Sequence, residues 1–454
     1  MIALTHVCQA WREVFVSRAS LWTDLHCKKL NADKVRVYLE RSKSSPISLQ
    51  LDEAGDLSPH HPFLHIVPHA IGRLKFLDVE GTPGNLQDIT ARLCRPAPLL
   101  EYLWINGDCT VELTRNPALT TALFDGDLAS LRELHLQAVR TELPWRNMVN
   151  LTSFSLRYTS PGDVPIRHLL NFLESAPHLR KIKFRRVPLT SDSQDGRLVS
   201  LARLNRMDII GDDPPSLLLN HLIIPVGAEL NTRTSLHGPL IEDHLPRSLG
   251  NLRNLLDFAD IQLRIGERFS RIRLSGPNGR VTMFPRTSRI DATYLVLDSL
   301  AQLDISGAKH LKIDRGNSPL SNPFYRVLLS MKHLRALTLS RCRNLDVFIN
   351  LLGPSASSSG IVVCPKLEEL VLVLRLDGKT FNMENVIGMA EARASRGMKL
   401  KAVRIVSHDE SVHVDALELM EHVLRVECGP EVDAADEDGD GSYEEDSDGS
   451  YEED

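Results

Sequence analysis

The sequence has few aromatic residues and few cysteines, and it lacks long apolar runs. Aromatic residues make up 5% of the 454 residues, and the 7 cysteines are scattered without any C-x-x-C pair. This spacing excludes the common zinc and thiol-redox motifs and favours reduced thiols. The first residues lack the features of a secretory signal, and no apolar run reaches the roughly 20 residues that span a bilayer. We therefore expect a protein of the cytoplasm, the nucleus or both, with no membrane partner.

Common motifs of nucleotide binding and catalysis are also absent. The sequence contains no G-x-x-x-x-G-K-[ST], G-x-G-x-x-G, H-E-x-x-H or G-x-S-x-G string, which excludes only the enzyme families that depend on those motifs. His60, His61, His65 and His69 lie close together, but interleaved prolines break the helix that would align them, so we expect a solvated loop instead of a metal site. The sequence predicts a non-enzymatic protein with no catalytic residue, no metal and no cofactor.

Charge is distributed unevenly along the chain. The formal net charge is −6, yet residues 431–454 carry 13 acidic and no basic side chains, so residues 1–430 have a net charge of +7. A basic excess this small over so long a segment gives no reason to expect a nucleic-acid partner.

The acidic tail, residues 429–454, is poor in apolar residues and is predicted to be disordered. It contains a direct duplication of the heptapeptide D-G-S-Y-E-E-D, at residues 440–446 and 448–454. Ser442 and Ser450 each precede a glutamate by three residues, a setting that favours phosphorylation by acidophilic kinases. The tail either contacts a basic partner or keeps the protein soluble.

A short strand pattern, aliphatic-x-x-aliphatic-x-aliphatic, recurs along the chain. It begins at Leu74, Leu100, Leu131, Leu151, Leu179 and Leu204 and, after a gap, at Phe269, Leu300, Leu334, Leu367 and Leu400. Within each group the starts lie 20 to 34 residues apart, and a helical pattern with a proline-bearing loop often precedes the strand. Such units bury their apolar faces against one another, which predicts a solenoid with parallel strands on one face and helices on the other. A non-repetitive α/β fold is the alternative.

One unit matches a known repeat signature. Leu334, Leu337, Leu339, Cys342 and Leu345 follow the pattern L-x-x-L-x-L-x-x-C-x-x-L, which resembles a leucine-rich repeat. The resemblance implies an α/β fold: an irregular leucine-rich-repeat-like solenoid over residues 46–428, with degenerate repeats or an insertion at residues 211–268.

The amino-terminal segment carries a second resemblance. Apolar residues at helical spacing in the string L-T-H-V-C-Q-A-W-R-E-V-F are followed by S-L-W-T-D-L and by a helical pattern at residues 35–42. This order resembles the second half of an F-box of the fungal type, with Met1 lying inside that motif. Residues 1–45 are therefore interpreted as the helices of a partial F-box, placed before the repeats as in that family.

The F-box resemblance implies a function. It indicates a substrate-recognition subunit that binds a Skp-family adaptor and, through it, a cullin ubiquitin ligase, while the repeats hold an unknown target protein. Such a subunit acts by proximity and orientation and needs no catalytic residue. The adaptor-facing residues implied are Leu4, Val7, Trp11 and Val14, with core packing as the other role for Trp11 and for Trp22. The alternative function is a leucine-rich-repeat interaction scaffold with no ligase connection.

Overall fold

The structure is a computed structural model. It describes residues 8–26, 32–53, 70–107, 118–119, 123–126, 128–141, 148–159, 164–190, 196–234, 241–255, 257–265, 270–285, 292–314, 321–342, 345–353, 362–374, 382–407 and 416–429. The chain divides into two compact units. The first contains Met1–Ala259 and Glu267–Ser299, and the second contains Asp260–Gly266 and Leu300–Asp454.

Strands are the more numerous elements. They are β1 (Asp24–His26), β2 (Ile47–Glu53), β3 (Leu74–Gly81), β4 (Tyr102–Gly107), β5 (Ala118–Leu119), β6 (Glu133–Gln137), β7 (Arg140–Thr141), β8 (Ser153–Arg157), β9 (Val164–Pro165), β10 (Lys181–Arg185), β11 (Leu189–Thr190), β12 (Val199–Ser200), β13 (Arg206–Gly211), β14 (Leu222–Ile223), β15 (Glu229–Thr234), β16 (Asp260–Ile265), β17 (Ser270–Gly276), β18 (Gly279–Phe284), β19 (His310–Asp314), β20 (Ala336–Ser340), β21 (Glu369–Val373), β22 (Ala402–Val406) and β23 (Val426–Gly429).

Helices lie between many of these strands. They are α1 (Gln9–Ser17), α2 (Ala32–Ser42), α3 (Pro83–Thr90), α4 (Ile166–Ser175), α5 (Ser216–Leu219), α6 (Ile241–His244), α7 (Ala292–Gln302), α8 (Ser321–Ser330), α9 (Leu345–Leu352), α10 (Met383–Ala394) and α11 (Ala416–His422). Short 3-10 helices occur at Ala19–Trp22, Ile71–Arg73, Leu123–Gly126, Leu249–Asn251 and Arg253–Leu255.

The first unit is built on one long ladder of strands. Its order is β1-β2-β3-β4-β6-β8-β10-β13-β15-β18-β17, and every pair is parallel except the last. Strands β17 and β18 form an antiparallel hairpin that closes through a two-residue turn. Gly279 after that turn has a φ of +135°, and a Cβ there would lie 2.7 Å from the carbonyl oxygen of Ala228, so this position requires glycine.

The second unit has its own ladder. Strands β16, β19, β20, β21, β22 and β23 follow one another in that order, and all pairs are parallel. Among its helices, α9, α10 and α11 pack in sequence. The strands of the two ladders together are the 17 strands of the main sheet, so the fold is α/β with a large, mainly parallel sheet.

Buried and partly exposed residues alternate along the strands, and the buried ones form the core. In β6, Leu134 and Leu136 are buried, whereas the intervening residues remain partly exposed, because successive strand residues point to opposite faces. Leu134 lies in register with apolar residues of both neighbouring strands. Helix α4 covers this apolar face in part, since its Phe172 ring lies 4.5 Å from the ring of Phe154 in β8. The opposite face of the ladder carries the partly exposed polar and aromatic residues.

The predicted leucine-rich-repeat-like solenoid is wrong, and the alternative α/β reading describes the chain. The structure has a large mixed sheet with an antiparallel hairpin at β17–β18, where a repeat array would continue in one direction. The stretch at residues 211–268 contributes the ladder strands β15 and β16. The pattern misled because a leucine triplet of this spacing indicates only a buried parallel strand, which any α/β sheet needs.

One predicted strand does not form at its predicted position. The triplet Leu300, Leu303 and Ile305 begins in the last turn of α7 and continues beyond it, and the strand of this region is β19, which begins ten residues after Leu300. Leu300 is buried together with Leu297, because residues three apart share one face of a helix. Residues 430–454 of the predicted acidic tail lie outside the described residues, and Gly429 ends β23.

Candidate functional site

Helix α1 presents an apolar surface to solvent. None of its residues is buried, and Trp11 and Val14 are 54% and 48% exposed. Phe15 lies one turn after Trp11, and the two rings stack with their centroids 5.6 Å apart. Residues three and four apart share one side of a helix, so Trp11, Val14 and Phe15 form one apolar face, hereafter the α1 face.

A buried tryptophan holds the carboxyl-terminal end of α1. Trp22 is fully buried, and its indole Nε1–H donates a hydrogen bond of 2.7 Å to the carbonyl oxygen of Phe15. The guanidinium of Arg41 lies 4.4 Å from the centre of the Trp22 ring. The ring of Tyr38 is nearly perpendicular to the same indole, with the two ring centroids 5.0 Å apart. Both of these residues belong to α2, so Trp22 links the two amino-terminal helices.

The predicted site residues divide into two groups. Trp11 and Val14 lie on the same helix and both are exposed, so the core-packing role fits Trp22 but does not fit Trp11. Leu4 and Val7 lie outside the described residues, as do Ser442 and Ser450. The histidines at positions 60–69 also lie outside them.

Sequence reasoning missed an aromatic cluster on the outward face of the first ladder. Phe76 in β3 stacks on Tyr102 in β4 with ring centroids 4.3 Å apart and planes 6° apart. His135 in β6 lies 5.4 Å from Tyr102 and 5.8 Å from Trp104. All four side chains are partly exposed. A signal existed in the sequence, because aromatic rings occupy outward positions in consecutive strand patterns.

Charges of both signs act on this aromatic cluster. Burial, with smaller effects from Asp78 and Glu133, raises the pKa of Tyr102 to about 12. Burial is also the main cause that lowers the pKa of His135, and Arg157 and Lys183 lower it further, while Glu133 opposes the shift. An aromatic surface with acidic and basic side chains nearby suits the binding of a polypeptide.

Comparisons with known proteins add no relative. No protein-family model matches the chain, and no curated protein matches it.

Within the described part of the chain, no group of three or more His, Cys, Asp or Glu side chains is placed to hold a metal ion. Among the described helices, none has both the length and the apolar character that crossing a membrane requires.

Proposed function

We propose that this protein is a non-catalytic, F-box-type recognition subunit that recruits a target protein to a Skp, cullin and F-box ubiquitin ligase. The observation that carries the proposal is the α1 face. Trp11 and Val14, which the F-box resemblance selects as adaptor-facing, are exposed on a helix with no buried residue. Tryptophan is enriched among residues that dominate binding energy at interfaces, so this face is suited to bury itself against the adaptor.

The attachment of α1 supports the same proposal. Because the Trp22 indole fixes the end of α1 through Phe15, the exposed rings are held in place before a partner arrives. Such preorganisation reduces the entropy that association costs. The proposed adaptor contact therefore uses Trp11 and Val14, with Leu4 and Val7 carried by the resemblance alone.

The target protein is proposed to bind the outward face of the first ladder. Phe76, Tyr102 and Trp104 offer ring surface there, and large aromatic side chains supply contact area at little conformational cost. Action in the cytoplasm, the nucleus or both is part of this proposal, because the adaptor and the cullin must meet the subunit in those compartments.

Co-purification with a Skp-family adaptor and a cullin tests the proposal. We expect Trp11→Ala to lose about 2 kcal/mol of adaptor binding, roughly a thirtyfold weakening, and Val14→Ser to weaken binding less. Val149→Ser is the matched control, because Val149 is 50% exposed and lies in a different part of the chain. Equal adaptor recovery from wild type and Trp11→Ala would exclude the α1 face as the contact.

The second candidate function is a protein-interaction scaffold with no ligase connection. The aromatic cluster fits a scaffold as well as it fits a ligase subunit, because the cluster contains no residue of α1. Trp104→Ala distinguishes the two activities: it should reduce recovery of the target and leave adaptor binding unchanged. If a partner depends on Trp104 while neither adaptor nor cullin is ever recovered, the scaffold is the correct function.

A further inference from the structure

The residue immediately before each of the strands β4, β6, β8 and β10 occupies the same position in the first ladder. The carbonyl oxygen of Glu101 accepts hydrogen bonds from the backbone N–H groups of Arg132 and Glu133, at 2.8 and 3.0 Å. The carbonyls of Arg132 and Thr152 each accept two such bonds from the next strand in the same way. Neighbouring strands lie about 4.8 Å apart, so Glu101, Arg132, Thr152 and Arg180 stand side by side at one edge of the sheet.

These residues line a polar pocket of about 380 Å³. Ser130, Asn150, His178 and Arg203 complete its lining. Several walls are fixed by hydrogen bonds, because the Asn150 amide donates to the carbonyl oxygen of Ala129 at 2.7 Å and the Thr152 hydroxyl donates to that of Arg132 at 3.0 Å. These bonds hold the side chains of Asn150 and Thr152 at the pocket.

The pocket has an excess of positive charge. Within the described part of the chain, the guanidinium groups of Arg132, Arg180 and Arg203 make no hydrogen bond or ion pair. The one carboxylate of the lining, Glu101, lies 3.7 Å from the Nζ of Lys75 and is already engaged there. The Nδ1 atom of His178 is closed to solvent and has no hydrogen-bond partner among the described residues.

The residues immediately before β20, β21 and β22 form a corresponding row in the second unit, and their charges alternate in sign. Arg335, Glu368 and Lys401 are joined there by the same paired backbone hydrogen bonds. Glu368 lies 3.0 Å from the Lys401 Nζ, and that hydrogen bond is the main cause that lowers the pKa of the Glu368 carboxyl. Charge alternates along that row, whereas three exposed arginines line one pocket in the first unit.

We propose that this pocket binds a phosphate monoester. Guanidinium groups form forked, charge-assisted hydrogen bonds with phosphate oxygens. The three guanidinium groups and the one carboxylate of the lining carry a formal net charge of +2, which is opposite in sign and equal in size to the charge of a phosphate dianion. Small-molecule sites have volumes of roughly 300–1,000 Å³, so the pocket admits a phosphate together with the group that carries it. This proposal does not depend on ligase function, because it uses none of the residues of the α1 face.

Calorimetric titration of the whole chain at about 0.15 M salt tests the proposal. The probes are O-phosphoserine, a short peptide containing phosphoserine, and inorganic phosphate, with serine, the unphosphorylated peptide and sodium chloride as their counterparts. We expect at least one phosphorylated probe to bind tenfold or more tightly than its counterpart. Preference for the phosphopeptide assigns the site to a modified protein, and preference for phosphoserine or phosphate assigns it to a small phosphorylated compound.

Substitutions locate the binding within the pocket. Arg132→Ala and Arg180→Ala should each weaken the binding of the best probe at least tenfold, and Arg180→Lys should weaken it less because charge remains while the fork is lost. Arg253→Ala is the matched control, since Arg253 is exposed and does not line the pocket. The proposal is overturned if no phosphorylated probe is preferred, or if binding persists unchanged in folded Arg132→Ala and Arg180→Ala proteins.

Discussion

Trp22 donates its indole Nε1–H to the carbonyl oxygen of Phe15 across 2.7 Å, and this bond joins a fully buried side chain to a helix with no buried residue. The amino-terminal segment is thus anchored at one point. Its two tryptophans consequently have opposite environments, with Trp22 in the core and Trp11 in contact with solvent.

The first prediction concerns Trp22→Phe. Phenylalanine keeps much of the buried apolar surface but leaves the Phe15 carbonyl without its donor and removes indole volume. We expect the free energy of unfolding to fall by about 1–3 kcal/mol, measured by urea denaturation. Trp104→Phe is the control, because Trp104 is partly exposed, and it should change the free energy by less than about 0.5 kcal/mol. Equal effects of the two substitutions would show that the bond contributes nothing.

Much of the strand content could be predicted from sequence, but the arrangement could not. The triplet Leu131, Leu134 and Leu136 correctly marks β6 because its last two leucines face the core. A leucine pattern reports burial in one strand and carries no information on how the chain returns to the next. The antiparallel hairpin at β17–β18 and the helical position of Leu300 were therefore missed.

The candidate sites show the same limit. Helical spacing placed Trp11 and Val14 on one helix, but spacing cannot tell whether a helix face is covered by the rest of the protein. The aromatic cluster and the pocket arise from strand register. Arg132 and Arg203 lie far apart in sequence and line one pocket only because successive strands pair in step.

The second prediction concerns a buried histidine. His244 is fully buried, its Nδ1 lies 2.8 Å from the Thr232 hydroxyl, and burial lowers its pKa from 6.5 to about 4. The unfolded chain therefore binds a proton that the folded protein excludes between about pH 6.5 and pH 4. The neutral ring contributes full stability above pH 6.5, and that contribution is lost as the pH falls through this window.

The free energy of unfolding, measured at pH 7 and at pH 5, tests the prediction about His244. We expect His244 to account for about 2 kcal/mol of the stability lost between these two values. A His244→Gln variant, which cannot titrate, should therefore show a correspondingly smaller loss. If wild type and variant lose the same free energy, the folded protein accommodates a protonated His244 and the prediction is wrong.

The third prediction concerns the buried guanidinium of Arg393 at the end of α10. Its Nη1 donates to the carbonyl oxygens of Leu352 and Val363, at 3.3 and 3.1 Å, and its Nη2 donates to that of Cys364 at 2.8 Å. Arg393→Leu would remove all three hydrogen bonds, and among the described residues only the Cys364 carbonyl would keep a second donor, the backbone N–H of Leu367 at 3.0 Å. We therefore expect a loss of about 2–4 kcal/mol in unfolding free energy.

Arg396→Leu is the control for this measurement, since Arg396 is exposed and lies three residues later. It should change the free energy of unfolding by no more than about 0.5 kcal/mol. Because burial lowers the pKa of Arg393, the folded state bears a desolvation cost that leucine would remove. An Arg393→Leu protein as stable as wild type would mean that this cost equals the benefit of the three hydrogen bonds.

The last prediction concerns thiol reactivity, which should differ sharply among the cysteines. Cys8 and Cys94 are exposed, whereas Cys342 and Cys364 are buried. Burial raises the pKa of the Cys364 thiol to about 12, so at neutral pH its thiolate is roughly a thousandfold scarcer than that of an ordinary cysteine.

In a maleimide time course followed by peptide mass spectrometry, Cys8 and Cys94 should be modified first, and Cys364 only as fast as the second unit opens. Mild urea should accelerate modification of Cys364 far more than that of Cys94. Similar rates for Cys364 and Cys94 in native buffer would show that the second unit opens readily around Arg393.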